Sequence, residues 1–449
     1  MPKQSPLIPA SRFPLVAAVA AALGMTLWLF HLSRPLAPGG SDATLLANVN
    51  VVDPVNGTVR RRQDLLWAQG HLLGLGDHAS LHSPGAKVLQ GAGAWVLPAP
   101  ADAAVFLSLE GRLPIDSVPA SVAASLRLQG RAGVGLLLDL NANRPFIAQA
   151  RALTGVPEAR FAGTLFTAPG GWRLSGQTPW DGNVAELSEV ADLDAPWARL
   201  NHFGDQAVFA SVEHEGRDDL SIPLPVLMEL GRRAHARGLP FIVHAQHLAK
   251  ALAALAAGPN ALLGPILDGN AGGDAQLGRA LAAAHCVYLP ALGSVLNALP
   301  GEPLAAWLGR FPTAAWVDPA AYASATDPER ARTWVHRYAF QDVDPAQVLA
   351  VPGRLVAAGA TLGMGTASGL PLVFHGLGWQ AELTWLQRAG LTPRQILAAI
   401  ATSRHLLGAP PTLVVGGEAD FLLLKQSPLE DASALLGPRG LFIQGQELP

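Results

Sequence analysis

Val96-Leu97-Pro98-Ala99-Pro100-Ala101-Asp102-Ala103-Ala104-Val105-Phe106-Leu107 carries a single charged residue, Asp102, in an otherwise apolar run. Ala104 and Phe106, two places apart, have no lone pair with which to hold a metal ion or accept a proton. Which frame this stretch belongs to, and what those two residues replace, is decided by the rest of the chain.

With 449 residues the chain exceeds one small domain, and half of its residues are hydrophobic, which allows a large core. One barrel with one small domain fits that length. Charged residues make up 14%, the formal net charge is -3 and Lys/Arg form no long basic block, so nothing electrostatic favours nucleic acid as a partner. The single cysteine, Cys286, excludes an intramolecular disulfide and a cysteine-based zinc site, and suits either redox compartment.

From Phe13 to Leu32 no Asp, Glu, Lys or Arg occurs over about twenty residues, long enough to cross a hydrocarbon core as a helix. Lys3 and Arg12 precede this run, which places the N-terminus in the cytoplasm, everything after Arg34 on the far side and Trp28 near one interface. The rival reading is a cleaved signal peptide. Against it stand the length of the run and Leu32-Ser33-Arg34-Pro35-Leu36-Ala37-Pro38, which lacks a small-x-small cleavage site; no lipid-bearing cysteine follows either. Residues 1–40 are therefore expected to be a membrane anchor or signal peptide, ending in a linker at Pro35, Pro38, Gly39 and Gly40, with the bulk of the chain periplasmic or extracytoplasmic.

From Thr44 the pattern turns to short strands: Leu45 to Asp53, a turn at Asn56-Gly57, then Asp64 to Trp67 and Leu72 to Gly76. Similar grammar returns at Glu418 to Lys425 and Gly440 to Gly445. Half-sheets at opposite ends complete one β domain, 44–97 with 409–449, only if the middle folds as a unit whose ends meet. That middle, 98–408, alternates apolar strand-length runs with helix-length segments. The runs are Gly133 to Asp139, Ala207 to Val212, Leu239 to His244 and Thr361 to Thr366; the helices include Leu224 to Arg237 and one opened by Leu391-Thr392-Pro393. Such repeats predict parallel strands with right-handed crossovers, as an open doubly wound sheet or a (β/α)8 barrel. No Gly-rich phosphate fingerprint follows the first strand, which disfavours nucleotide binding.

The order of Asn48-Val49-Asn50-Val51-Val52-Asp53, Val96-Leu97-Pro98, His244-Ala245, Gly365-Thr366, Gly390-Leu391-Thr392-Pro393, Ala401-Thr402, Gly408 and Gly417-Glu418-Ala419-Asp420 resembles the amidohydrolase superfamily, in its imidazolonepropionase and dipeptidase-like branch. The resemblance spans nearly the whole chain after residue 40. It implies an α/β fold: a (β/α)8 TIM-type barrel with one or two metal ions, zinc being the expected metal, and a small β-sandwich built from both chain ends.

Position by position, the resemblance places Ala104 and Phe106 where the family has its paired strand-one histidines. Ala210 and Ser211 stand where many members have a metal-bridging lysine. His244 matches the strand-five histidine, Gly264 stands in the strand-six histidine place, and Ala367 replaces the strand-eight aspartate that serves as ligand and general base. A hydrolytic metal site needs about three protein ligands with an open position for water. His244 alone cannot supply it, so no metal and no other cofactor is expected here.

A replacement site could gather Glu213, His214 and Glu215 with His244 and His247, since His-x-x-His puts both rings on one helical face. The bland alternative is a solvated loop from Glu213 to Asp219 and a core histidine at 244. His375, in Phe374-His375-Gly376, is a candidate ligand contact. Asp139 suits a cap or turn as well as a barrel-mouth acid, and Cys286 suits buried packing. An apolar set at the barrel mouth suits a hollow with no ion to hold, which could bind an apolar ligand or be filled by Phe106.

The leading expectation is a membrane-anchored amidohydrolase-like pseudoenzyme acting as a binding or partner subunit, as a homo-oligomer or beside an active relative. The alternative is a working hydrolase of C–N bonds, dipeptide or non-peptide, with a rebuilt site around His244.

Overall fold

The computed structural model describes residues 42–113, 121–142, 144–171, 184–203, 205–214, 220–299, 301–337 and 342–448. The apolar run from Phe13 to Leu32 lies outside them. Among the described residues no helix is long and apolar enough to cross a membrane.

The chain opens with β1 (Thr44–Asp53), β2 (Thr58–Ala68), β3 (His71–Asp77), β4 (Lys87–Gln90) and β5 (Trp95–Pro98). The β1–β2 turn is chemically specified. The Asp53 carboxylate accepts the Val55 amide and the Asn56 side-chain amide, both at 2.9 Å, and Gly57 takes the left-handed φ of +68° that closes it.

The middle of the chain carries parallel strands: β6 (Ala101–Val105), β7 (Leu136–Asp139), β8 (Glu158–Phe161), β9 (Leu165–Thr167), β10 (Val184–Glu186), β11 (Val208–Ser211), β12 (Phe241–His244), β13 (Ala261–Leu263) and β14 (Val287–Leu289). β6, β7 and β8 pair in parallel, as do β9, β11, β12, β13 and β14, with β10 on the outer edge of β9. β8 runs on into β9 through a kink at Gly163, whose φ is +72°, and the Gln206 amide reaches Phe161 O at 2.7 Å beside it. The expected strand over Thr361–Thr366 is irregular, with only isolated bridges at Leu362 and Ser368, yet it closes the ring. On one side Tyr288 N donates to Thr361 O and Gly363 N to Tyr288 O, both at 2.9 Å. On the other, Ala103 N reaches Met364 O at 2.8 Å, Ala367 N reaches Ala104 O at 2.8 Å and Phe106 N reaches Ser368 O at 2.7 Å. The doubly wound alternative is thereby excluded in favour of a barrel.

Helices cover the outside for the reasons their sequences give. Leu224–Ala236 has Pro225 in its first turn and buries Val226, Leu227, Leu230 and Ala234 at three-to-four spacing. Pro393–Leu406 starts on a capping box in which the Thr392 hydroxyl and the Gln395 side chain satisfy each other's backbone amides.

The chain returns with β15 (Phe421–Leu424), β16 (Gly440–Ile443) and β17 (Gln446–Glu447). Both chain ends form one eight-stranded sheet, ordered β17-β16-β15-β5-β1-β2-β3, with β4 beside β1. The β-sandwich expected from both chain ends is built as one continuous sheet that curls on itself until β3 reaches the segment leading into β15. Leu72 N donates to Gly417 O and Ala419 N to Gly70 O, both at 2.8 Å. Trp67 fills the inside of the curl, edge-on to Phe421 at 5.4 Å and Phe442 at 5.8 Å, with its indole N–H on Gly445 O at 3.0 Å. A separate apolar cluster fills the barrel itself.

Candidate functional site

Catalytic groups of a barrel sit at the C-terminal ends of its strands, so the residues closing β6, β11, β12, β13 and the eighth strand define the candidate site. At β6 a register irregularity between Asp102 and Val105 turns both Ala104 and Phe106 into the barrel's apolar cluster. Both are fully buried, and the Phe106 ring meets Phe209 edge-on at 6.2 Å. Ala367, at a left-handed φ of +54°, belongs to the same cluster with Ile242, Leu263 and Leu289. Gly264 packs against the hydroxyl of Tyr288, leaving no room for a β-carbon at that place.

The polar residues lie between β11 and β12. Ser211 and His244 are register partners closing these two strands, and Ser211 Oγ stands 2.9 Å from His244 Nδ1. The Glu213 amide donates to the same Oγ at 3.3 Å, so the hydroxyl links the ring to the backbone that follows β11. Burial holds His244 down at about 4, a neutral imidazole at pH 7.

Glu213 is turned away from His244 Nδ1, toward the start of the Leu248–Ala254 helix. Oε1 accepts the Gln246 amide at 2.7 Å and the His247 amide at 3.2 Å; Oε2 accepts His247 Nδ1 at 2.8 Å and Lys250 Nζ at 3.1 Å. Burial opposes the charge of Glu213. The hydrogen bond from His247, with His244 and the Gln246 amide nearby, nonetheless brings its carboxyl down to about 2. The same hydrogen bond raises His247, against its partial burial.

Of the predicted site residues, His244, His247 and Glu213 thus come together, but as two units: Ser211–His244 inside the mouth, Glu213–His247–Lys250 on its rim. His214 lies near Gly170 after β9, and Glu215 falls outside the described residues. His375 is buried elsewhere, Nε2 donating to Leu109 O at 2.7 Å and Nδ1 accepting from Gln129 Nε2 at 3.3 Å; burial holds it down at about 4. Asp139 is also buried. Its carboxylate accepts the Leu107 and Asn141 amides, which ties together the loops after β6 and β7, and burial pushes it up to about 7. Cys286 is buried, and burial pushes its thiol up to about 12.

The donor set does not fit a hydrolytic metal ion. Glu213 accepts four hydrogen bonds, as many as a carboxylate readily takes. His244 Nδ1 is engaged by Ser211, and the remaining ligand places carry methyl, hydrogen or benzyl groups. Among the described residues no group of three or more His, Cys, Asp or Glu side chains could hold a metal ion.

Lys250 was missed in the sequence. It lies one helical turn after His247, but its partner Glu213 is remote in sequence, so no local pattern announces the pair. The Ser211–His244 contact had a signal: both close neighbouring parallel strands and so face each other across one register step.

No protein-family model and no curated protein matches the sequence. Solved structures match it in fold. An amidohydrolase is 18% identical, with a TM-score of 0.68 over 90% of this chain and 98% of its own. A Xaa-Pro dipeptidase solved with methionine in its active site is 14% identical, with a TM-score of 0.69 over 90% and 99%. Ochratoxinase from A. niger is 15% identical, with a TM-score of 0.67 over 90% and 95%. At these identities the likeness shows a shared fold.

Proposed function

We propose, from the premise that this chain has the amidohydrolase fold, that it is a catalytically impaired member of that fold serving as a binding or partner subunit rather than as a metal-dependent hydrolase. The observation that carries this reading is the barrel mouth, where Ala104, Phe106 and Ala367 belong to a closed apolar cluster and Tyr288 occupies the space beside Gly264. Lowering the pKa of a bound water requires several ligands around one ion, and a lone buried imidazole cannot provide them. An apolar lining also removes the charge that an empty ligand set would leave unpaired.

The reading extends to location and assembly. The run from Phe13 to Leu32 anchors the chain in a membrane, with the barrel on the extracytoplasmic side, as a homo-oligomer or beside an active amidohydrolase. Fractionation of cells that express the full-length chain, with protease added from outside, tests location. Metal analysis of the purified full-length chain tests the impairment. Substoichiometric zinc is expected, whereas stoichiometric zinc lost in His244→Ala, together with hydrolytic activity on dipeptides, would overturn it.

A further inference from the structure

We propose that His247, held by Glu213, is a metal-independent nucleophilic site on the barrel rim that accepts acyl groups from small, uncharged esters. This goes beyond the binding role and stands on a different observation. Glu213 Oε2 takes the Nδ1 proton of His247 at 2.8 Å, which fixes the tautomer and leaves the Nε2 lone pair as the reactive end. Nε2 has no hydrogen-bond partner among the described residues, and the His247 side chain is 32% exposed while Glu213 is 5% exposed. A buried carboxylate orienting an accessible imidazole, at the C-terminal ends of barrel strands, is the arrangement that proton transfer and acyl transfer use.

The surroundings define the acyl group. Among the described residues, Glu213, Asp268 and Lys250 act on His247: Glu213 and Lys250 form an ion pair at 3.1 Å, Asp268 caps the Leu248 amide at 2.7 Å, and the nearby His244 is neutral. Among the described residues acting on His247, the one permanent cation, Lys250, is already paired with Glu213, so it does not call for an anion. Phe209, Ile242 and Leu263 of the strands that carry the rim are sealed in the apolar interior, so the acyl group stays on the solvent side, where the rim has room for a small one.

In the reaction the Nε2 lone pair attacks the ester carbonyl carbon. The carbon–oxygen bond to the leaving group breaks, that oxygen keeps the electron pair, and the Nδ1 proton moves toward Glu213. Water then adds its oxygen to the acyl carbon and the bond to Nε2 breaks; Glu213 returns the proton to Nδ1, the proton shed by the water goes to the leaving-group oxygen or to solvent, and the carboxylic acid is released with the ring restored. His247 is the catalytic residue and Glu213 positions it.

The test is hydrolysis of p-nitrophenyl acetate by the full-length chain after EDTA treatment. Release of p-nitrophenolate should exceed that of an equal concentration of 4-methylimidazole by about tenfold or more. His247→Gln should fall to the level of free imidazole, while His405→Gln, at an exposed histidine on the Pro393–Leu406 helix, should keep the full rate. His247→Gly should regain activity when imidazole is added. Glu213→Gln should lower kcat about tenfold with KM unchanged, as loss of orientation predicts. A wild-type rate equal to that of free imidazole, or a rate retained in His247→Gln, overturns the proposal and leaves the binding role untouched. Zinc in the protein would instead overturn the binding role alone.

Discussion

The Tyr288 hydroxyl lies where a side chain on Gly264 would begin, and it accepts the Ile266 amide at 3.2 Å in that position. Tyr288 is fully buried, so it has little freedom to withdraw. Gly264→Ala is expected to cost about 1–3 kcal/mol through overpacking. Tyr288→Phe removes the colliding oxygen, so the double variant should be less destabilised than the two single costs added together. Urea unfolding of the four proteins measures this; additive costs would show that the two residues do not compete for the space.

Phe106 gives a second measure of how closed the mouth is. Its ring is fully buried among the apolar interior residues and touches Phe209 edge-on. If the ring is core, Phe106→Ala loses about 3–5 kcal/mol. A loss below about 1 kcal/mol would mean that the ring borders an open, hydrated hollow and would weaken the case for a filled mouth.

Much of the architecture was legible because it rests on periodicity and on residues with one structural use. The Asn56-Gly57 turn, the Thr392-Pro393 helix start and the apolar runs ending at Asp139, Val212 and His244 all lie close to their observed elements. The eighth strand was harder, because Gly363, Gly365 and the left-handed Ala367 break its ladder and its closure depends on β6 and β14, both distant in sequence. The β domain was legible only in part for a related reason: strand pattern shows half-sheets at both chain ends but not that they join at β5 and β15 into one sheet curled around a shared core. In the site, the ligand places could be read singly, but their neighbours could not. Nothing near Gly264 announces Tyr288, and nothing near Glu213 announces Lys250.

His375 makes stability depend on pH in a definite direction. Leu109 O can only accept, so Nε2 carries the proton, and Nδ1 faces the donating Gln129 amide. A second proton on the ring would therefore meet a donor, and burial already holds the group at about 4 against an ordinary 6.5. The folded state thus binds fewer protons than the unfolded chain between those values, so this contribution is present above pH 6.5 and is lost as the pH falls through 4. Its size is on the order of a few kcal/mol for a group so deeply buried. His375→Gln removes the titration. The difference in unfolding free energy between wild type and variant should narrow from pH 7 to pH 4; a constant difference would place the ring in contact with water.

Arg404 joins the barrel to the sheet and should not tolerate lysine. It is 6% exposed, its Nε donates to Pro410 O at 2.8 Å and its Nη1 donates to Ala99 O, the carbonyl that leads into β6. The rigid guanidinium fork reaches both carbonyls, whereas a single ammonium reaches one and leaves the other buried without a donor. Burial already lowers the Arg404 pKa, with Asp420 the largest opposing charge, and a lysine at that depth would lose its proton more readily. Arg404→Lys is expected to cost about 1–3 kcal/mol, read by urea unfolding, with the far-ultraviolet spectrum unchanged below the transition. Because Ala99 and Pro410 flank the two crossings between sheet and barrel, limited proteolysis should cut the variant first near residues 99 and 410. Cleavage no faster than in the wild type would show that the seam is held by apolar packing alone.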